Sequence, residues 1–346
     1  MSGMGDSHAI SIEQLRKVGG PLVDVRSPGE YAQGHWPGAI NIPLFSDAER
    51  AEVGTTYKRE GRLPAIHLGL AMTGPKLSHL AKELDKLRNQ GDPRIYCWRG
   101  GMRSASVAWL AEQIDLKPTR LDGGYKSYRR WVLSRFDQPW PLRMMGGRTG
   151  TGKTDLLLAL EQRGVAVIDL EGLAHHRGSS FGGLGLPPQP STEHYENKLA
   201  EVLDRHQLAQ ARSIWLEAES IQVGRCRIPK GLFDQMQQAP VLEIQRNLDE
   251  RVKQLVQVYG HQGGELLADA TQRISRRLGP QRTAEALKAI EQSDWSQACR
   301  AMLDYYDRCY DHELKRSAGR ISIDLSGQDP DQAADKLIQL GHVEAD

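Results

Sequence analysis

Two short stretches of this chain bring together residue types whose spacing suits reaction chemistry. The first, Gly147-Arg148-Thr149-Gly150-Thr151-Gly152-Lys153-Thr154, fits the pattern G-x-x-x-x-G-K-[ST] without a mismatch. Glycines in such a loop let backbone N–H groups converge on phosphate oxygens at a helix N-terminus, where the dipole favours anions. Gly147, Gly150 and Gly152 would shape that cradle, Lys153 would bring a point charge to the terminal phosphate, and the Thr154 hydroxyl is placed to hold magnesium. Acidic partners of a phosphate loop lie at the ends of neighbouring strands. Asp169 ends one apolar run and Glu217 another, and either suits a magnesium held through water. Asp169 could instead only cap the backbone at Gly172. The basic, glycine-rich run from His175 to Gly183 is either a flexible loop at the same sheet edge or a plain surface loop.

The second stretch is Cys97-Trp98-Arg99-Gly100-Gly101-Met102-Arg103-Ser104. A loop of amides closing onto a helix N-terminus stabilises an anion, which favours a thiolate over a thiol there. Arg99 and Arg103 add positive charge beside Cys97, and a thiolate so placed can attack sulfur, selenium or phosphorus. The other three cysteines, Cys226, Cys299 and Cys309, lack such surroundings, and no CxxC pair occurs. Scattered cysteines suit a reducing cytosol rather than a disulfide framework or a cysteine-rich zinc site.

The elements that position these loops follow from hydrophobic patterning. Pro21–Val25 reads as a strand, Ala39–Pro43 as a second and Arg94–Tyr96 as a third that delivers Cys97 into its loop. Val107, Leu110, Ala111 and Ile114 then mark one helix face, and Leu121 to Tyr125 reads as strand and turn. A stretch from Ser46 to about Gln90 is polar and helical. After a linker, Phe136 to Pro141, a strand from Leu142 to Gly146 runs into the phosphate loop. Further strands are expected at 165–169, 213–217, 240–244 and 320–324, with a long arginine-rich helical insertion from Leu248 to Tyr310. Strands alternating with helices imply parallel sheets, so the fold class is α/β. The expected division is residues 8–137 and residues 138–346.

Bulk properties narrow the classes. A length of 346 residues suits two domains, and 39% hydrophobic with 26% charged residues is an ordinary globular composition. Met1 to Ile10 has neither the basic start nor the apolar stretch of a signal peptide, and no apolar run approaches the roughly 20 residues that span a bilayer. A net charge of +1 requires any RNA-binding surface to be a local patch.

The first half resembles a rhodanese. Asp24-Val25-Arg26, Glu30-Tyr31, Gly34-His35, Pro37-Gly38-Ala39 and Asn41-Ile42-Pro43 look like its N-terminal signature. The Cys97 loop and Leu121-Asp122-Gly123-Gly124 look like its active site and C-terminal signature. One departure stands out: Cys97 to Arg103 is C-x5-R, one residue longer than the ordinary sulfurtransferase loop and wide enough for a tetrahedral anion. Fused to a phosphate loop, this half resembles tRNA 2-selenouridine synthases. Val53 to Lys58, Asp169 to Ser179 and Arg276-Arg277-Leu278-Gly279 strengthen the likeness, while Ala218 stands where an acidic residue is expected.

The resemblance implies a rhodanese-like domain followed by a P-loop NTPase-like domain, and a cytoplasmic transferase acting on tRNA with 2-thiouridine at the wobble position. It implies alkylation of that sulfur by geranyl diphosphate, then replacement of the geranylthio group by selenium from selenophosphate. Both co-substrates would come and go, with no tightly bound cofactor, magnesium as the one candidate metal, and a selenophosphate-supplying enzyme as partner. Arg246, Arg251, Arg276 and Arg277, with Lys253 and Arg273 beside them, are the candidate tRNA contacts, and each taken singly reads first as a solvated helix charge. Three rivals stand beside this reading: a rhodanese-fold cysteine phosphatase, a P-loop small-molecule kinase with a rhodanese module, and a non-catalytic RNA-binding protein.

Overall fold

The computed structural model describes residues 9–314 and 319–344; Met1 to His8, the segment without signal-peptide features, and the Cys309 side chain lie outside the described residues. The chain forms two compact units, one of residues 1–135 with 196–201 and the other of residues 136–195 with 202–346. The sequence division at 137/138 is contiguous and contains no counterpart of the 196–201 segment. No helix of the described residues is long and apolar enough to cross a membrane.

The first unit is built on five parallel strands: β1 (Ala9–Ile10), β2 (Leu22–Asp24), β3 (Ile40–Asn41), β4 (Arg94–Tyr96) and β5 (Thr119–Leu121). Their order is β1-β5-β4-β2-β3, which places β4 in the middle. Val23, Ile95 and Leu121 are completely buried, as befits strands covered on both faces. The stretch from Ser46 to Gln90 resolves into helices Asp47–Arg59, Arg62–Thr73 and Leu77–Asp85. A capping box between Ser46 and Glu49 starts the first of these.

The second unit carries β6 (Leu142–Gly146), β7 (Val167–Ile168), β8 (Ile214–Glu217), a small antiparallel hairpin of β9 (Gln222–Val223) and β10 (Cys226–Arg227), then β11 (Val241–Gln245) and β12 (Arg320–Asp324). The parallel sheet runs β12-β11-β6-β8-β7, again with the loop-bearing strand, β6, in the middle. Neither β1 nor the hairpin is expected from the sequence; β1, β9 and β10 have two residues apiece, too short to carry a period. The arginine-rich insertion is five helices, Leu248–Tyr259, Gly264–Arg273, Ser275–Leu278, Pro280–Glu291 and Trp295–Leu314. They bury a core that holds Leu267, Ile274, Leu278, Ala289, Ile290 and Ala298 and is joined by Phe181 from outside the insertion. Both parallel sheets thus deliver a loop from the carboxyl end of a central strand, where ligand crevices of open α/β sheets form.

The Asp24-Val25-Arg26 signature has a physical basis. Asp24 and Arg26 are both fully buried, with Nη2 of Arg26 2.6 Å from the Asp24 carboxylate and Nε 3.0 Å from it. Nη2 also donates to the Gly34 carbonyl at 2.7 Å, and the guanidinium lies 3.6 Å from the Tyr125 ring centroid. Removing one member strands the other charge in the core. Arg26→Met should cost about 3–5 kcal/mol in chemical denaturation. The double variant Asp24→Asn with Arg26→Met should cost less than the single one, and an equal or larger loss would show that the buried charge is not what matters.

Candidate functional site

The cysteine loop runs from β4 to the helix Met102–Glu112. Cys97 is buried, 3% exposed, with its Sγ 3.3 Å from the Ser104 Oγ, which in turn donates to the Gly101 carbonyl at 3.0 Å. The loop is clamped by the turn that follows β5. The Tyr125 amide donates to the Cys97 carbonyl at 2.8 Å and the Lys126 amide to the Trp98 carbonyl at 3.0 Å. A Cβ on Gly124, whose φ is +57°, would lie 2.3 Å from the Cys97 carbonyl oxygen, so this approach is closed to any other residue. With those carbonyls occupied, the amides of Arg99, Gly100 and Gly101 donate to no protein acceptor among the described residues. A loop of unspent donors around a thiol is an anion cradle.

Arg103 and Arg99 part company here. Arg103 pairs with Glu30 at 2.7 Å. Burial opposes ionisation of Glu30, yet the hydrogen bond and charge of Arg103 hold its carboxyl below the usual range. Arg99 is exposed and pairs with no carboxylate among the described residues. Ser104 and Glu30 therefore join the loop as residues that sequence reading passed over as site members.

The phosphate loop leads from β6 into the helix Lys153–Glu161, capped by Gly152 at a φ of +73°. Two arginines set its geometry. Arg251, 3% exposed, donates through Nε to the Thr149 carbonyl at 2.9 Å and grips Asp307 through Nη1 at 2.9 Å. Arg246 donates to the Thr151 carbonyl at 3.0 Å and the Gln328 carbonyl at 2.6 Å. In a trans peptide the N–H points opposite to the C=O. Holding the carbonyls of Thr149 and Thr151 on one side thus turns the amides of Gly150 and Gly152 to the other, where they meet no protein acceptor among the described residues. Lys153 folds back to its own loop, donating to the Gly147 carbonyl at 2.9 Å.

A cavity of about 490 Å³ opens over this loop, lined among others by Lys153, Thr154, Glu171, Arg177, Glu219 and Arg277. Thr154 donates to Glu171 at 3.0 Å. Burial, and next the charge of Glu219, pushes the Glu171 carboxyl up to about 8. Burial and then Asp169 and Glu171 raise Glu217 well above the usual range, and burial raises Asp169 despite the amides it accepts from.

The sequence-derived candidates thus separate. Gly147, Gly150, Gly152, Lys153 and Thr154 form the cradle. Asp169 caps the helix Leu170–Ala174 by accepting from the Gly172 amide at 2.7 Å, and Glu217 accepts from the Leu170 amide at 3.2 Å; neither lines the cavity. The acidic lining is Glu171 and Glu219, two residues beyond each strand-end candidate, together with Asp155 in the first turn of the helix Lys153–Glu161. Arg177 to Ser180 of the basic loop do line the cavity. Arg246 and Arg251 are committed to loop carbonyls rather than presented to a partner, whereas Arg276 and Arg277 are exposed.

Known proteins match along nearly the whole chain. The family described as "Rhodanese-like domain" matches residues 10–130, and the one described as "tRNA 2-selenouridine synthase AAA domain" matches residues 140–337. Proteins named tRNA 2-selenouridine synthase from Bordetella petrii and Shewanella halifaxensis are 36% and 33% identical to it, covering 89% and 87% of this chain and 90% of their own length. One from Sulfurovum sp. is 35% identical over 87% of this chain and 90% of its own.

The buried carboxyls carry a pH signature. Glu171 binds its proton more tightly in the folded chain than in the unfolded one, so its contribution to stability is full below about pH 4.5 and is lost as the pH rises to about 8. Relative to the parent, Glu171→Gln should therefore become progressively more stable across that window, by at most about 1.4 kcal/mol per pH unit. Paired denaturation curves at several pH values measure it, and a difference that stays flat would remove Glu171 from the titrating cluster.

Proposed function

The chain belongs to the tRNA 2-selenouridine synthase family, and from that premise we propose that it acts in the cytoplasm on tRNA bearing 2-thiouridine at the wobble position, in two steps divided between its two anion loops. The observation that carries the division is the pair of amide cradles, one holding a thiol at Cys97 and the other a lysine at Lys153.

In the first step the phosphate loop binds geranyl diphosphate. The uridine sulfur attacks the geranyl carbon next to oxygen, the C–O bond breaks, and pyrophosphate leaves as the N3 proton is lost. Lys153 and the amides of Gly150 and Gly152 meet the charge that develops on the leaving group. Hard oxygen donors suit magnesium; Thr154 would hold it together with the ligand's own phosphates, and it would supply Lewis-acid help to the same charge. Among the described residues no group of three or more His, Cys, Asp or Glu side chains is placed to hold a metal by itself. Alkylation turns a poor leaving group into a better one. In the second step selenophosphate, provided by a supplying enzyme, occupies the wider C-x5-R loop; its selenium bonds to C2 as geranylthiol leaves, water then takes the phosphoryl group from selenium and phosphate is released, with Cys97 handling selenophosphate or the displaced thiol.

Loss of the Lys153 charge should cost on the order of 3–4 kcal/mol of barrier, hundreds-fold in rate. Lys153→Ala is expected to leave 2-thiouridine unalkylated, and to form selenouridine once supplied with pre-geranylated tRNA. Cys97→Ser is expected to accumulate the S-geranyl nucleoside. Nucleoside mass spectrometry reads all three, and normal selenouridine from Cys97→Ser, or its failure to geranylate, would break the assignment of one step to each loop.

Binding of tRNA through Arg276 and Arg277 predicts affinity that falls steeply with salt, because phosphate contacts release counterions. Reversing both charges should weaken binding and reduce the slope of log affinity against log salt by about 2. An unchanged slope would take this surface out of the interface.

A further inference from the structure

A second, apolar cavity of about 50 Å³ lies among the helices of the arginine-rich insertion and shares Thr149, Ser179, Leu255, Tyr259 and Tyr306 with the cavity over the phosphate loop. Away from that shared edge its walls are almost wholly apolar, supplied by Leu267, Ile290, Trp295, Ala298 and Met302. Cys299 also lines it, and burial pushes that thiol up to about 11, so it too is a neutral wall. The polar groups at the edge are hydroxyls, with Ser179 and Tyr259 3.3 Å apart and occupied with each other.

A nucleoside base in such a place would leave its ring nitrogens and exocyclic groups without partners, which costs more than the contact returns. A hydrocarbon leaves nothing unpaired and removes apolar surface from water. Size adds a second constraint. A cavity of about 150 Å³ holds a benzene ring, so this one takes the end of a chain rather than the whole of it. The walls are drawn from a packed helical core, where Leu267, Ile290 and Ala298 are nearly fully buried, so they do not yield easily to a longer guest.

We infer that this cavity receives the far end of the hydrocarbon tail of a diphosphate ester seated on the phosphate loop, and that Ala298 and Met302 set the length of tail accepted. The inference rests on the reading of the loop's ligand as a prenyl diphosphate. It makes the helical insertion a specificity element of the first step.

Calorimetric titration of the full chain with pyrophosphate and with dimethylallyl, geranyl and farnesyl diphosphates tests it. The parent should bind geranyl diphosphate more tightly than pyrophosphate. Ala298→Phe fills the cavity and should weaken geranyl diphosphate by about tenfold or more while leaving pyrophosphate unchanged, since the tail alone loses its place. Met302→Ala enlarges it and should raise farnesyl diphosphate relative to geranyl diphosphate. Pyrophosphate binding shows that Ala298→Phe is folded; should that variant not bind it, Met302→Ala decides. Tight geranyl diphosphate binding that neither variant alters selectively would overturn the cavity assignment and leave the loop's ligand standing. A parent that prefers ATP and gains nothing from the geranyl tail would overturn both.

Discussion

The guanidinium of Arg251 is the constraint on which the second unit turns. Nearly removed from water, it must spend its donors on protein acceptors, and it finds them in the Thr149 carbonyl and the Asp307 carboxylate. One end of that arrangement belongs to the loop and the other to the helix Trp295–Leu314. Arg246 repeats it at the Thr151 carbonyl. Peptide planarity does the rest, because a carbonyl held outward turns the next amide inward. The cradle for anions is therefore made by cations behind the backbone, and the helices that hold it also wall the apolar cavity.

The first unit reaches a similar cradle by a different route. There the carbonyls of Cys97 and Trp98 are taken by the amides of Tyr125 and Lys126, and the enabling feature is the absence of a Cβ at Gly124. Both solutions leave amides unspent at the carboxyl end of a central parallel strand. Near-neutral net charge is consistent with this, since partial charges on the backbone collect the anion and few of the arginines need face it.

What could be read from the sequence was what is local. The phosphate loop, the cysteine loop and the strands Arg94–Tyr96, Leu142–Gly146 and Arg320–Asp324 carry their period, turn chemistry and glycine spacing within a few residues. Glu171 and Glu219 were missed because only folding sets them beside Thr154, while the strand ends at Asp169 and Glu217 drew attention as the usual acidic positions. Arg246 and Arg251 read like any arginine on a polar helix start; nothing local distinguishes a charge meant for RNA from one meant for a carbonyl about a hundred residues earlier in the chain. The cavity beside the loop was invisible for the same reason, since its walls come from residues 149 to 306.

The helix Thr192–Leu208 bears on how such a chain could arise. Its residues 196–201 belong to the first unit, where Arg129 donates to the Asn197 side-chain carbonyl at 2.6 Å, the Asn197 side-chain amide donates to the Tyr125 hydroxyl at 2.8 Å, and Arg16 pairs with Glu201 at 2.8 Å. A gene severed after codon 135 would yield a rhodanese-like half with those arginines bereft of their acceptors. A cassette cut at one point between the halves would leave behind the six residues, encoded downstream, that complete the first unit.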